Sequence, residues 1–401
     1  MAKRKIQKPT RFERMYKVWD YLRKNTDRRH PTSIAKMRKD ENINAYIGDK
    51  ETINRLLKDM ANIMNLEDGG SDYKPEAEWR LYFDDFKKFY GDKERYERDD
   101  SDEDDSYIAN VMRIKNLYYN RTFSEKEVDS IIEGIMATRT LDSKSAQELV
   151  RKVEDNMTTV FYKRTPRHIC KVQEPELADR ELLKDNLAII QKAIDDNVRI
   201  QFRFNGYSYE KKLEPVREES DELSPYYIVA SGGKYYLLAA KEYEGYKPNM
   251  SIWRIDLMTD IEIPGRNDRL HIKGIPRIPK KNVANLPEKW SEDFQLKHLN
   301  MSFDKPVLVT LRIKSEKCED NPKKRVRPGY TFLHDWFGDS FTYIRTETKP
   351  PYDDIVRVEC SPYGMAHWAL QYSELVEVLE PESLREDIKI KIKALNEKYS
   401  L

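Results

Sequence analysis

The side chains in this 401-residue sequence whose type and spacing suit chemistry are cations, set first of all near the amino end. Residues 1–39 carry fourteen Lys and Arg against three acids, Glu13, Asp20 and Asp27. Such a cluster is the electrostatic footprint of a surface that meets phosphate backbones. Just beyond it, residues 49–65 (DKETINRLLKDMANIMN) follow a helical period, with Asp49 placed to cap the first turn. Ile53, Leu56 or Leu57, Met60 and Ile63 or Met64 make one apolar face, and Lys50, Asn54, Arg55 and Lys58 stand opposite. A helix fits the DNA major groove, where Arg and Lys suit guanine and Asn suits adenine. The spacing therefore predicts that Lys50, Thr52, Asn54 and Arg55 lie nearest the bases, while Arg28, Arg29, Lys36 and Lys58 hold phosphates. A plain three-helix core with a charged outer face gives the same pattern.

Other chemistries find little support. Cys170, Cys318 and Cys360 are far apart and no His pair has H-E-x-x-H spacing, so neither a metal site nor a disulfide framework is expected. Gly232-Gly233-Lys234 lacks the upstream glycine and the following Ser or Thr of a phosphate-binding loop, and no G-x-S-x-G occurs. The acidic residues 99–105 lack the glycine of a calcium loop. The reading is a binding protein and not an enzyme, without a cofactor. No run of 18 apolar residues exists, which excludes a membrane helix from the expectations, and the basic amino end lacks the apolar core of a secretory signal. A reducing cytoplasm suits the sparse cysteines.

The elements that must position these residues follow from period and caps. Residues 11–25 place Phe12, Met15, Tyr16, Trp19 and Leu22 at helical spacing. A short second helix spans 32–39, capped by Thr32 or Ser33, and the helix at 49–65 is the third. A wing is expected next, but residues 66–116 read as an insertion. It holds a polar turn, a helix-like aromatic stretch (78–90) and a loop, 92–105, with nine acids and three bases. Ser124 and Glu127 form a capping box before two helices over 124–154, and a further helix covers about 177–196.

At Asn197 the period changes from helical to alternating. Strands are predicted at 199–204, 210–216, 225–231, 234–240 and 251–257, with Gly232-Gly233 as a hairpin turn. Five short strands in this space read as a small barrel. From about 304, strands at 306–313, 353–360 and 375–380 alternate with helix-like 361–372 and 382–395, a small α+β pattern.

The middle region resembles the WYL domain. The signature is Tyr235-Tyr236-Leu237; around it stand Ala193-Ile194 before Ile200-Gln201-Phe202-Arg203-Phe204, then Lys212 and Pro215, Pro225-Tyr226, and Arg254-Ile255-Asp256. Residues 52–60 (TINRLLKDM) are similar to that family's recognition helix, with Leu56 in place of an acidic residue, and 378–386 (VLEPESLRE) is like the end of its WCX extension. The resemblance implies an α+β multidomain chain. Residues 1–122 would form a winged helix-turn-helix with the insertion 66–116, 123–176 a helical linker, 177–265 an Sm-like, SH3-type five-stranded barrel with its leading helix, and 300–401 a WCX domain with a probable dimer contact. It implies a ligand-responsive transcription regulator, homodimeric on a double-stranded DNA operator, sensing a nucleotide or single-stranded nucleic acid. The alternative it leaves is an accessory single-strand-binding protein that modulates a CRISPR or other phage-defence partner enzyme.

In that barrel Arg254 offers a rigid fork for phosphate, joined by Arg203 and Lys212 from neighbouring strands. Tyr207, Tyr226 and Tyr236 suit stacking on bases or donation to phosphate oxygens. The same tyrosines equally suit packing of the barrel, and Arg254 has an intramolecular alternative in Asp256 or a glutamate.

Overall fold

The computed structural model describes residues 8–67, 74–84, 114–138, 141–164, 180–318, 320–327 and 329–399. The acidic run 92–105, most of the expected insertion, Lys3, Arg4, Lys5 and Cys170 lie outside the described residues. The chain divides into two compact units, Met1–Pro175 and Glu176–Leu401.

The first unit opens with α1 (Arg11–Asn25), α2 (Ile34–Lys39), α3 (Asn44–Ile47) and α4 (Lys50–Asn65). Side chains hold the helix starts: Thr10 and Glu13 form a capping box on α1, Ser33 caps α2 and Asp49 caps α4. Each cap of this kind contributes about 1 kcal/mol. The short α3 falls between the second and third helices expected from the sequence, where no helix was expected. Between α3 and α4 the chain turns at Gly48, whose φ of +69° is a conformation that favours glycine. Val18, Leu22, Met37, Ile47, Ile53, Leu57 and Met60 close the core.

After α4 come β1 (Leu81–Tyr82) and β2 (Tyr118–Tyr119), an antiparallel ribbon. This corrects the helix-like reading of 78–90 at Leu81–Tyr82; residues 85–90 of that stretch lie outside the described residues. Trp79, Leu81 and Phe83 are all buried, a strand period that dense aromatics had disguised. Buried Asn65, the last residue of α4, locks the ribbon in place: its Nδ2 donates to Leu81 O at 2.8 Å, and its Oδ1 accepts from the N–H of Arg80 at 2.8 Å and of Leu81 at 3.1 Å. Thr32 and Leu117 exchange backbone bonds at 2.8 and 3.0 Å, extending the ribbon by one bridge. Then α5 (Glu125–Ala137) and α6 (Ser143–Met157) pair through Val128, Ile132, Val150 and Val153, and the Ser124–Glu127 capping box is present.

The second unit begins with α7 (Arg180–Asp196). A curled six-stranded sheet follows: β3 (Ile200–Tyr207), β4 (Leu213–Pro215), β5 (Asp221–Ser231), β6 (Lys234–Ala240), β7 (Met250–Arg254) and β8 (Met258–Glu262). Its order is β4-β3-β5-β6-β7, with β8 returning to pair with β3. The stretch 251–257, expected as one strand, breaks after Arg254 into a 3-10 turn over Ile255–Leu257, and β8 is a strand the sequence reading missed. Phe202, Leu223, Leu237, Ile255 and Met258 fill the curl, with Ile190 and Ala193 of α7 against them.

The remaining elements are α8 (Phe294–Lys297), β9 (Val307–Ile313), β10 (Lys317–Cys318), β11 (Asn321–Arg325), α9 (Thr331–Phe337), β12 (Thr342–Thr346), β13 (Asp354–Cys360), α10 (Pro362–Gln371), β14 (Val376–Glu380) and α11 (Glu382–Tyr399). Strands β12-β13-β9-β14 form an antiparallel sheet in which β9-α9-β12-β13-α10-β14 follow the split βαβ plan. Of these, β12, α9 and the β10–β11 hairpin were not foreseen. Trp368 is fully buried in this core. The segment around α8 touches both sheets: Phe294 and Met301 pack with Val229, Leu238 and Met250 of the curled sheet, while Ser361 N–H donates to Lys297 O at 2.7 Å and a Cβ on Gly364 would stand 2.7 Å from Leu299 O, so only glycine fits.

One carboxylate organises this last sheet. Asp354 is buried and accepts from Lys317 Nζ at 2.8 Å, Arg325 Nε at 3.0 Å, Tyr330 Oη at 2.7 Å and Thr346 Oγ1 at 2.6 Å. Burial alone would raise its pKa, but the hydrogen bonds from Lys317, Thr346, Tyr330 and Arg325 outweigh it and hold the carboxyl at about 2, below its ordinary 3.8. The stabilisation from this group is therefore complete above about pH 4 and is lost as pH falls through about 2. Asp354→Ala leaves the nearly buried Lys317 and the partly buried Arg325 unmatched and is expected to cost about 3–5 kcal/mol, read as a lowered urea midpoint; an unchanged midpoint at pH 7 refutes the keystone role.

Candidate functional site

The outer face of α4 presents Lys50, Thr52 and Arg55 to solvent, with Lys58 half-buried one turn on. Asp49 Oδ1 accepts from Thr52 N–H at 2.7 Å, and that backbone bond lowers the Asp49 pKa. The cap thus fixes the amino end of the helix. Arg38 Nη2 donates to Gly48 O at 3.1 Å and braces the preceding turn, a role the sequence reading missed because Arg38 belongs to a different helix. Arg55 Nη2 meets Glu51 Oε1 at 2.8 Å, an exposed pair of little net strength that a phosphate or a guanine edge can replace.

One of the expected base contacts, Asn54, is not on this face, and the expected phosphate contacts Arg28, Arg29 and Lys36 stand on other elements. Asn54 is fully buried beside Ile53, Leu57 and Ala61. The buried face of α4 is wider than a single apolar stripe and takes in position 54, one turn from Leu57 and two from Ala61. Asn54 is accordingly withdrawn from the base-reading set. Arg28 and Arg29 are exposed in the turn after α1, where Asp27 Oδ1 accepts from the N–H of Arg29 and His30 at 2.7 and 2.8 Å. They line a groove of about 870 Å³ with Arg121, Lys126, Phe161 and Lys163, and no residue of α4 lines it. Lys36 is exposed on α2. On the ribbon, Tyr82 stacks on Tyr118 with centroids 5.0 Å apart.

In the curled sheet, Arg254 ends β7 and sits in register with Tyr236 of β6. Its Nε donates to Asp256 Oδ1 at 3.1 Å and its Nη2 to Asp256 Oδ2 at 2.5 Å. Asp256 lies in the 3-10 turn with its side chain 2% exposed. Burial works against the guanidinium charge, but the hydrogen bonds and charge of Asp256, with Tyr236 and Tyr207, outweigh it and raise the Arg254 pKa. The Tyr236 phenol is pushed up chiefly by burial. Arg254 and Tyr236 are thus brought together beside Asp256, with Tyr207 near enough to act on the Arg254 charge, and the intramolecular partner left open by the sequence is the one Arg254 has.

The other barrel residues are placed elsewhere. Arg203 is exposed, 3.8 Å from Asp260, and Lys212 pairs with Glu210 at 2.8 Å in the turn after β3. Tyr226 is buried, donates to Ile278 O at 2.7 Å and carries Arg277 over its ring at 5.1 Å. It is a core residue, and its place in the ligand set is withdrawn. Tyr209 was missed; it is 94% exposed in the same turn as Lys212. A tyrosine between two turn positions gives no periodic signal. Among the described residues no group of three or more His, Cys, Asp or Glu is placed to hold a metal, and no helix is long and apolar enough to cross a membrane.

Neither protein-family models nor curated proteins give a match to this sequence. Among solved structures, the chain is similar to proteasome accessory factor B/C (PafBC) of Arthrobacter aurescens, at 15% identity and a TM-score of 0.24, over 87% of this chain and 55% of that one. It is also similar to a CRISPR Cas-related protein, at 13% identity and a TM-score of 0.28, over 74% of this chain and 78% of that one. The chain thus spans little more than half the length of the PafBC structure.

Tyr226→Phe strands the buried Ile278 carbonyl and is expected to lower stability by about 1–3 kcal/mol, measured by urea unfolding; no loss would contradict its assignment to the core.

Proposed function

We propose that this chain is a ligand-responsive, DNA-binding transcription regulator of the WYL type, a binding protein and not an enzyme. The observation that carries the reading is the outer face of α4: Lys50, Thr52 and Arg55 stand exposed beyond a rigid amino-terminal cap, on a helix backed by a three-helix core and followed by a β-ribbon. That order of helices and ribbon supports a winged helix-turn-helix, with Lys58 and Lys36 on phosphates. In the second unit, the return of β8 to β3 supports the Sm-like barrel, and the grouping of Arg254, Tyr236 and Tyr207 supports an effector site for a nucleotide or single-stranded nucleic acid. A homodimer on a two-fold operator completes the proposal.

The test is binding to the upstream promoter duplex across salt. Specific regulation predicts a slope of log K on log salt of roughly 0.9 per phosphate neutralised. Arg55→Ala is expected to weaken specific binding by about 1–3 kcal/mol, whereas Lys58→Ala weakens all duplexes alike and lowers the slope by about one. The burial of Asn54 and the exposure of Tyr207 and Tyr209 favour a second reading, an accessory single-strand-binding protein acting on a partner enzyme of a defence system. Tight single-strand binding that is lost in Arg254→Ala, together with only weak, sequence-blind binding of the promoter duplex, establishes that reading instead.

A further inference from the structure

The 3-10 turn that carries Asp256 is held from two sides by buried amides. Asn186 of α7 is fully buried, and its Nδ2 donates to Ile255 O at 3.2 Å and Met258 O at 2.8 Å. Asn205 of β3 is also buried, and its Nδ2 donates to Leu257 O at 3.0 Å, Thr259 Oγ1 at 3.0 Å and Arg203 O at 3.2 Å. The backbone carbonyls on both sides of Asp256 are therefore bonded to side chains from other elements. With only 2% of its side chain exposed, Asp256 has no solvent to move into, and a ligand that took its place on Arg254 would leave a buried carboxylate without its cation.

We propose that Asp256 is a fixed positioning residue of the effector site. It holds the Nε–Nη2 edge of Arg254 whether or not ligand is bound, and an incoming anionic oxygen meets the remaining Nη1 end together with the hydroxyls of Tyr207 and Tyr236. Asn186 and Asn205 act one step further back by fixing the turn. The inference rests on reading the Arg254 cluster as the effector site. Its physical content is specific: the Arg254–Asp256 pair carries no net charge, so the ligand is recognised by aimed donors and not by an excess of positive charge. The sign of one substitution then separates this arrangement from its rival. If Asp256 were a built-in competitor for the fork, removing its charge would strengthen anion binding. If it positions Arg254, removing its charge weakens binding although the pocket gains a positive charge.

The experiment measures binding of a mixed-sequence single-stranded oligonucleotide to the full chain by fluorescence anisotropy. Asp256→Asn is expected to lower affinity about tenfold, and the loss is expected to vanish in the Arg254→Ala background, an epistasis that a general structural defect does not produce. Tighter binding by Asp256→Asn, or an equal loss with and without Arg254, overturns the proposal. A ligand-free readout keeps it separate from the effector reading: labelling of Arg254 by phenylglyoxal, followed by peptide mass analysis. Arg254 is expected to label slowly in the native chain and several-fold faster in Asp256→Asn; equal rates overturn the proposal. Should the native chain and Arg254→Ala bind the strand equally, the effector reading fails and the labelling rates still decide the positioning role. If Asp256→Asn does not fold, Asp256→Glu, which keeps the charge but displaces the carboxylate by one methylene, is measured in the same two ways with the same expected directions.

Discussion

Three buried carboxylates of the second unit, Asp354, Asp221 and Asp256, are each met by cations, and that constraint ties its strand ends together. Asp354 gathers donors from β10, β11, β12 and the residue before α9. Asp221, at the start of β5, is likewise buried and met by Lys241 at 2.8 Å and Arg217 at 3.0 Å. Asp256 repeats the pattern with Arg254. With 72 basic and 71 acidic residues to place, the chain uses such pairs to fix strand ends that its modest hydrophobic content would leave loose.

The three sites differ in what the cation has left to offer. At Asp354, Lys317 is almost as buried as the acid, so the network is sealed and serves stability. Arg254 keeps part of its side chain at the surface beside two tyrosines. The same chemistry that locks a strand in one place thus orients a donor in the other, and the difference lies in solvent access and not in residue type.

Much of the framework was legible in the sequence. The helix starts at Asp49 and Ser124, the Gly232-Gly233 hairpin and the switch from helix to strand after Asn197 each rest on local chemistry that neighbours do not override. What escaped depends on depth. Periodicity locates the centre of a buried face but not its width, so Asn54 reads as outward when α4 in fact buries it. Nor does alternation reveal whether a strand will bend, so the 3-10 turn after Arg254 was read as more strand and β8 was lost. Tyr226 on β5 and Tyr236 on β6 part company only when the curl of the sheet decides which ring is covered. At the amino end, the grouping of Arg28 and Arg29 with Arg121 depends on the chain returning after β2, which no local pattern encodes.

The anchoring of the ribbon has a consequence for how this molecule can change. Asn65 pins the entry to β1, and the Thr32–Leu117 bridge pins the approach to β2, so the chain between Tyr82 and Tyr118 leaves and re-enters through two fixed posts. Each strand of the ribbon is thereby tied to α4 or to the turn before α2 and not only to its partner strand. The ribbon therefore shifts together with the surface that α4 presents and not as an independent arm.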